Sequence, residues 1–171
     1  IDSNYIKIAT DYDWKETGIV YWQGEPIDRF SKEYEDLVDE LYISAIQNGV
    51  DSIMTGHIIY TDLDKSKPAT LSKVVLQDLL RDELNYEGLI ISDSMEMNAI
   101  KNYYGGFDKT SIMAVDAGVD ILLYTEMKNA KMAYNGLKKA VNNGQISVDR
   151  INESVLRIIK MKLKYKVNDY V

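Results

Sequence analysis

Residues 117–124, AGVDILLY, carry the pattern that decides the fold. A helix-like segment ends at a glycine, Val-Asp follows, and then comes a short apolar run without polar alternation. The pattern recurs at residues 48–55, NGVDSIMT, and in a looser copy at residues 85–92, NYEGLIIS. Apolar runs that do not alternate are typical of strands in parallel sheets covered on both faces. The three copies therefore predict repeated βα units.

The segments between these runs have the apolar period of amphipathic helices. The predicted strands are 5–9, 50–55, 89–92 and 119–124, and the predicted helices are 31–49, 71–84, 108–118, 128–144 and 146–166. Ser147 is the expected N-cap of the last helix, and Gly49 is the expected stop of the first. This order fits a doubly wound sheet or a (β/α)8 barrel, and a full barrel needs roughly 250 residues. The chain has 171 residues, which predicts a partial barrel.

Composition narrows the function classes. The chain has no cysteine, which excludes disulfides, thiolate metal sites and a cysteine nucleophile. A single histidine, His57, excludes a metal site built from several histidines. The net charge of -7 argues against a nucleic-acid partner, and no apolar run approaches the roughly 18 residues of a membrane span. The chain opens with Ile1 and has no visible signal peptide, which predicts a processed product or a piece of a longer protein.

Polar side chains follow three of the predicted strands where each strand ends. These are Gly56-His57, Asp93 and residues 124–126 (Tyr-Thr-Glu). Because the carboxyl ends of parallel strands meet at one edge of a sheet, we expect His57 and Asp93 to face the same mouth. Each has a structural alternative: Asp93 could cap a helix that begins at Ser94, and His57 could hold a loop.

The stretch GLIISDSMEMNAI, residues 88–100, and its surroundings point to the reactive interpretation of Asp93. Residues 68–100 (PATLSKVVLQDLLRDELNYEGLIISDSMEMNAI) resemble the nucleophile signature of glycoside hydrolase family 3, of the β-N-acetylhexosaminidase type. Other segments that resemble this family are 54–64 (MTGHIIYTDLD), 114–123 (AVDAGVDILL) and 151–166 (INESVLRIIKMKLKYK). The resemblance covers residues 31–166, after a divergent N-terminal segment, 1–30. It implies a single domain over residues 1–171, an α/β fold that forms the C-terminal half of a (β/α)8 barrel.

The resemblance also implies roles for individual residues. Asp93 takes the place of the family's nucleophile, and a retaining glycosidase needs such a carboxylate beneath the anomeric carbon. His57 takes a substrate-binding or orienting role, and Lys7 stands where the family has a sugar-binding lysine. The implied substrates are N-acetyl-β-glucosaminides from peptidoglycan. No metal or organic cofactor is implied.

The sequence departs from the family upstream of residue 31. It lacks both the K-H-F-P-G-H-G segment and the Asp-His pair that serves as acid/base. A replacement carboxylate could come from Asp11, Asp13, Glu16 or Glu25. Two interpretations stay open: a glycosidase that is present as a partial barrel, and an inactive module that binds sugars or assembles with a partner. An unrelated phosphate-binding half-barrel would need a glycine-rich loop that is absent.

A half-barrel would also expose sheet edges and an apolar interior. We therefore expect self-association or pairing with a missing N-terminal half-barrel. The sequence leaves open the compartment, which is either the bacterial cytoplasm or the cell surface.

Overall fold

The structure, a computed structural model, describes residues 19–22, 25–28 and 32–167, with side chains for 40–100 and 104–167. The described residues fall into two compact units that divide between residues 48 and 49. The predicted strand at 5–9 lies outside the described residues. The single domain over residues 1–171 stays a prediction.

The first unit contains a hairpin and one helix. Strands β1 (Ile19–Trp22) and β2 (Glu25–Asp28) pair antiparallel, with Val20 opposite Ile27. Helix α1 follows at Lys32–Gln47. The hairpin is a difference from the sequence analysis, which assigned no element to residues 10–30. That segment mixes charged and aromatic residues and gives no clean strand alternation to detect.

The second unit is built on a parallel sheet of three strands in chain order. Strands β3 (Ser52–Thr55), β4 (Leu89–Ser94) and β5 (Ile121–Leu123) lie side by side, with β4 in the centre. Ser52 pairs with Leu89, and Ile91 pairs with Ile121. The predicted parallel βα repeats are therefore confirmed. Strand β4 continues two residues beyond the predicted end, so that Asp93 lies within it.

Helical segments cover the chain between and after these strands. They are a 3-10 turn (Ala69–Leu71), a π-type helix α2 (Val74–Glu83), α3 (Asn98–Tyr104), α4 (Phe107–Ala117), α5 (Met127–Asn142) and α6 (Val148–Lys164). The predicted N-cap of α6 is confirmed, because the Ser147 hydroxyl accepts a hydrogen bond from the Arg150 N–H at 3.1 Å. Helix α3 was not predicted. Within the part of the chain that the structure describes, no helix is long and apolar enough to cross a bilayer.

The glycines of the G-V-D pattern end helices. Gly49 follows α1 with φ +73°, and Gly118 follows α4 with φ +131°. Residues with side chains rarely adopt this left-handed region, so glycine is the natural residue at both positions. The Gly118 N–H donates to the carbonyls of Ala114 and Val115, which closes the last turn of α4 before β5 begins.

Helices α4, α5 and α6 bury one face of the sheet. A core cluster formed by Val115, Ala140 and Ile146 packs against Leu122 of β5. Ile90 and Ser92 of β4 are fully buried. Because successive side chains of a strand alternate between faces, Ile91, which lies between them, belongs to the opposite face.

Asp120, the aspartate of the second G-V-D copy, is buried at the amino edge of the sheet. Its side chain has no exposed surface and accepts hydrogen bonds from Arg81 (2.9 Å), Arg157 (3.2 Å) and Ser154 (2.5 Å). The Arg150 guanidinium lies 3.7 Å away. Arg150, Ser154 and Arg157 all belong to α6, so this carboxylate fixes α6 beneath the start of β5.

Asp51, the aspartate of the first copy, binds the other end of the same helix. Lys164 and the Tyr165 hydroxyl both donate to its carboxylate. The hydrogen bond from Lys164, the larger cause, and the one from Tyr165 hold the pKa of Asp51 below its usual range. Helix α6 thus runs under the amino edge from β5 to β3. The carboxyl edge, where folds of this type hold their reactive groups, lies at the other end of the strands.

Candidate functional site

Asp93 lies at the carboxyl edge of the central strand. Its neighbour Ser92 is fully buried, and the Ser92 hydroxyl accepts a hydrogen bond from the Leu123 N–H at 2.9 Å. Strand alternation puts Ile91 on the face opposite to Ser92. That face also carries Met54, which is 54% exposed, in register with Ile91.

The pairing of β4 with β5 is irregular at this point. Ile91 pairs with Ile121 and Ser94 pairs with Leu123, so β4 has one residue more than β5 between the two pairs. Such bulges bend a strand and redirect a side chain, and they are frequent beside active sites. The extra residue falls at positions 92–93, directly at the candidate nucleophile.

The Asp93 carboxylate has spare hydrogen-bonding capacity. Oδ1 accepts a hydrogen bond from the Ser94 N–H at 2.6 Å. Within the described residues, no ion pair involves Asp93. The alternative role as a helix cap is wrong, because the next helix, α3, begins at Asn98 with Met97 as its N-cap. Among the described residues, the half-buried carboxylate therefore keeps acceptor capacity that no other side chain uses.

His57 meets the Asp93 segment, as the sequence predicted for two strand ends at one edge. Its Nε2 lies 2.9 Å from the carbonyl oxygen of Ser94. A carbonyl only accepts, so Nε2 carries the hydrogen. Its Nδ1 lies 2.8 Å from the hydroxyl of Thr70. Both ring nitrogens are engaged by the protein, and this geometry favours the orienting part of the predicted role.

Thr70 links His57 to strand β3. Its side chain is fully buried, and its hydroxyl oxygen lies 3.0 Å from the Gly56 carbonyl oxygen and 2.9 Å from the hydroxyl of Thr55. The buried 3-10 turn Ala69–Leu71 brings Thr70 to this position. Nothing local to the P-A-T sequence indicates a bond to a histidine 13 residues earlier.

The loop between β3 and the 3-10 turn is closed by Asp64. Its carboxylate accepts hydrogen bonds from the hydroxyls of Ser72 and Ser66, both at 2.7 Å, and from the Ser66 N–H at 2.9 Å. These bonds, with that of Ser72 the largest cause, lower the pKa of Asp64 to about 2. The loop that carries His57 is therefore anchored to the start of α2.

Several predicted residues lie outside the described part of the chain. Lys7 and three of the candidate acid/base residues, Asp11, Asp13 and Glu16, belong to residues 1–18. Glu25 lies in β2, where the backbone alone is described. Their roles stay predictions. Among the described residues, no group of histidine and carboxylate side chains could hold a metal ion.

The sequence profile of the glycosyl hydrolase family 3 N-terminal domain matches residues 23–161. The chain belongs to glycoside hydrolase family 3. This membership confirms the resemblance noted from residues 31–166, and the fold class, parallel βα repeats of the (β/α)8 type, is confirmed with it. That the chain forms the C-terminal half of the barrel stays a prediction.

Relatives within the family are close enough to align most of the chain. A protein of Arthroderma benhamiae described as an uncharacterized secreted glycosyl hydrolase is 38% identical over 119 residues, 68% of this chain and 33% of that protein. Beta-hexosaminidase A of Pseudoalteromonas piscicida is 32% identical over 130 residues, 66% of this chain and 22% of that protein. The solved structure of a family 3 β-N-acetylglucosaminidase from a Paenibacillus species superposes with a TM-score of 0.72 at 39% identity, covering 76% of this chain and 25% of that one.

The chain spans a third or less of the length of these family 3 proteins. The activity of a complete relative therefore does not transfer automatically to this chain.

Proposed function

We propose that this chain supplies the nucleophile of a retaining β-glycosidase, with Asp93 as the nucleophile and N-acetyl-β-glucosaminides as the substrate class. The observation that carries the proposal is the state of the Asp93 carboxylate. It lies at the carboxyl edge of the central parallel strand, beside a bulge in that strand, and within the described residues it has no ion pair. In folds of this type, reactive groups lie at the carboxyl ends of strands.

The chemistry has two steps. A carboxylate oxygen of Asp93 forms a bond to the anomeric carbon while the bond from that carbon to the leaving oxygen breaks, and a general acid protonates that oxygen. Water then attacks the anomeric carbon, the ester bond to Asp93 breaks, and the proton of the water passes to the same acid/base group. In this proposal the acid/base group lies outside residues 40–100 and 104–167. General acid catalysis contributes typically 10²–10⁴-fold.

His57 takes the orienting part in this proposal. Its Nε2–H holds the carbonyl of Ser94, the residue directly after the nucleophile. A direct bond to substrate through either nitrogen would require His57 to give up Ser94 or Thr70. Lys7 keeps the sugar-binding role that the resemblance implies.

The substrate class is supported by the relatives, among them a beta-hexosaminidase and a β-N-acetylglucosaminidase. Peptidoglycan is one polymer that contains N-acetyl-β-glucosaminides, so its fragments are the substrates we propose. Because the chain spans a quarter of the Paenibacillus structure, we further propose that full activity needs a second half-barrel, from the same gene or from a second copy.

The test is the intact mass of the protein after incubation with a fluorinated N-acetylglucosaminyl donor that carries a dinitrophenyl leaving group. This leaving group departs without an acid, so the measurement isolates the nucleophile. We expect one added glycosyl mass in the wild type and in Asp116→Asn, which changes a surface carboxylate. We expect none in Asp93→Asn.

Folded protein that forms no adduct would overturn the claim that this chain alone can catalyse the first step. It would favour the alternative of an inactive sugar-binding or assembly module. An adduct that persists in Asp93→Asn would overturn the assignment of the nucleophile.

A further inference from the structure

Glu96, three residues after Asp93, reaches across to the turn that follows β5. Its Oε2 accepts hydrogen bonds from the Thr125 N–H at 2.8 Å and from the Thr125 hydroxyl. Its Oε1 accepts from the Asn129 side-chain amide at 2.5 Å and from the Glu126 N–H at 3.3 Å. Four donors from one turn thus converge on one carboxylate.

The same carboxylate caps a helix that lacks its own cap. Helix α5 begins at Met127, its N-cap Glu126 makes no side-chain capping bond, and its first turn has no acidic residue. Glu96 accepts from the N–H of the N-cap residue Glu126, one of the free N–H groups at the start of α5. The charge of Glu96 lies at the positive end of the helix dipole. The hydrogen bonds from the Thr125 hydroxyl, the largest cause, and from the Asn129 amide lower the pKa of Glu96 to about 2. The carboxylate is therefore ionised at neutral pH.

Between Asp93 and Glu96 the backbone is held from both sides. On the β3 side, His57 donates to the carbonyl of Ser94. On the β5 side, the Met95 N–H donates to the Leu123 carbonyl at 3.0 Å, and the Met95 side chain is fully buried. The Glu96 N–H approaches the Ser94 hydroxyl at 3.4 Å. The Met97 N–H donates to the Ser94 carbonyl at 3.1 Å, and Met97 and Asn98 are exposed.

We infer that Glu96 is a positioning residue for Asp93: it fixes the turn after β4 to the N-terminus of α5 and so holds the nucleophile in its orientation. This inference rests on the proposed function, because it assigns Glu96 to the same site. Glu96 does not touch the reacting atoms. A displacement of about 1 Å at a nucleophile costs roughly 10²-fold in rate, so loosening this turn should reduce the rate of glycosylation and leave donor binding little changed.

The test compares Glu96→Gln with Asp51→Asn. Glutamine keeps the size of the side chain but has one acceptor oxygen, and its amide would face donors of the β5–α5 turn. Asp51 is a matched control, since its carboxylate also accepts from two side chains but lies at the opposite edge of the sheet. With the dinitrophenyl donor, we expect Glu96→Gln to lower the maximal rate of adduct formation by about 10–100-fold. The donor concentration that gives half of the maximal rate should stay within about twofold of the wild-type value. Asp51→Asn should change neither. A wild-type rate in Glu96→Gln would overturn the inference.

A second measurement does not need catalysis. Hydrogen–deuterium exchange should accelerate in Glu96→Gln over residues 94–97 and 125–129 and stay unchanged over β3, whereas Asp51→Asn should not affect these residues. If the wild type forms no adduct, the proposed function fails, and exchange then decides only the structural part of the inference, that Glu96 fixes the turn after β4. Unchanged exchange over residues 94–97 in Glu96→Gln would then overturn it, and faster exchange confined to the two turns would support it.

Discussion

Asp120 should be one of the most costly polar residues to replace, because its carboxylate compensates arginines that the fold has buried. The side chains of Arg81 and Arg150 are 7% and 12% exposed, and that of Arg157 is 25% exposed. Asn is the informative substitution, since it preserves shape and one acceptor oxygen but removes the charge. Burial already lowers the pKa of Arg81 and Arg150.

The magnitude follows from this burial. Removal of one partner from a buried ion pair costs about 3–5 kcal/mol, because the other charge is left without compensation. A chain of this size loses about 2–4 °C of melting temperature per kcal/mol. We therefore expect Asp120→Asn to lower the Tm by roughly 10 °C and to shift the urea midpoint without a change in slope, both measured by far-ultraviolet circular dichroism.

The control is Asp116→Asn, the same substitution in the preceding helix. Asp116 pairs with Lys73 at 3.0 Å, but these side chains are 49% and 56% exposed. An exposed pair contributes about 0–1 kcal/mol. If Asp120→Asn cost no more than Asp116→Asn, the argument that Asp120 compensates buried arginines would be refuted.

Two further predictions concern pH and packing. Glu96 and Asp64 have folded-state pKa values of about 2, below their ordinary values of 4.5 and 3.8, so the stability they contribute is present above about pH 4.5 and is lost as the pH falls towards 2. The urea midpoint of the wild type should therefore decrease as the pH is lowered from 5 to 2. The midpoint of the variant with Glu96→Gln and Asp64→Asn should decrease less, and an equal decrease in both proteins would contradict this reasoning. Gly136→Ala should lower the free energy of unfolding by about 1–3 kcal/mol, because a Cβ at this position would lie 2.6 Å from the Cβ of Asp108. The control in the same urea titration is Asn135→Ala, a substitution at the exposed neighbouring residue.

The parallel core of the fold was predictable because it is specified locally. Helix, glycine, Val-Asp and apolar run recur, and Gly49 and Gly118 have the positive φ angles that this pattern requires. Helix α3 was missed for the opposite reason. It has seven residues and begins after Met97 without a capping side chain, and the following Gly105-Gly106 indicates a loop. Short helices of this kind are fixed by tertiary contacts and not by their own sequence.

For the candidate site, it was predictable which residues lie at the same edge of the sheet, but not which hydrogen bonds they form. Parallel pairing alone brings His57 and Asp93 to one mouth, and the contact of His57 with Ser94 bears this out. That His57 would bond to Thr70, or Glu96 to Thr125, has no local signal, since these pairs are separated by 13 and 29 residues. Such bonds depend on the relative height of neighbouring strands, which a one-residue bulge in β4 changes.

The aspartates of this sheet show why residue type alone could not distinguish scaffold from reagent. Asp120 lies directly before β5, its side chain is fully buried, and its oxygens are occupied by three arginines, a serine and the Ile90 N–H. Asp93 is the second-last residue of β4, and the one described bond to its carboxylate comes from the adjacent Ser94 N–H. A carboxylate whose acceptors are all occupied stabilises the fold but cannot attack a sugar without first losing its partners. Among the described residues, Asp93 keeps acceptor capacity at the edge where parallel α/β folds hold their reactive groups, while the neighbouring Ser94 and Glu96 are bonded to His57 and Thr125.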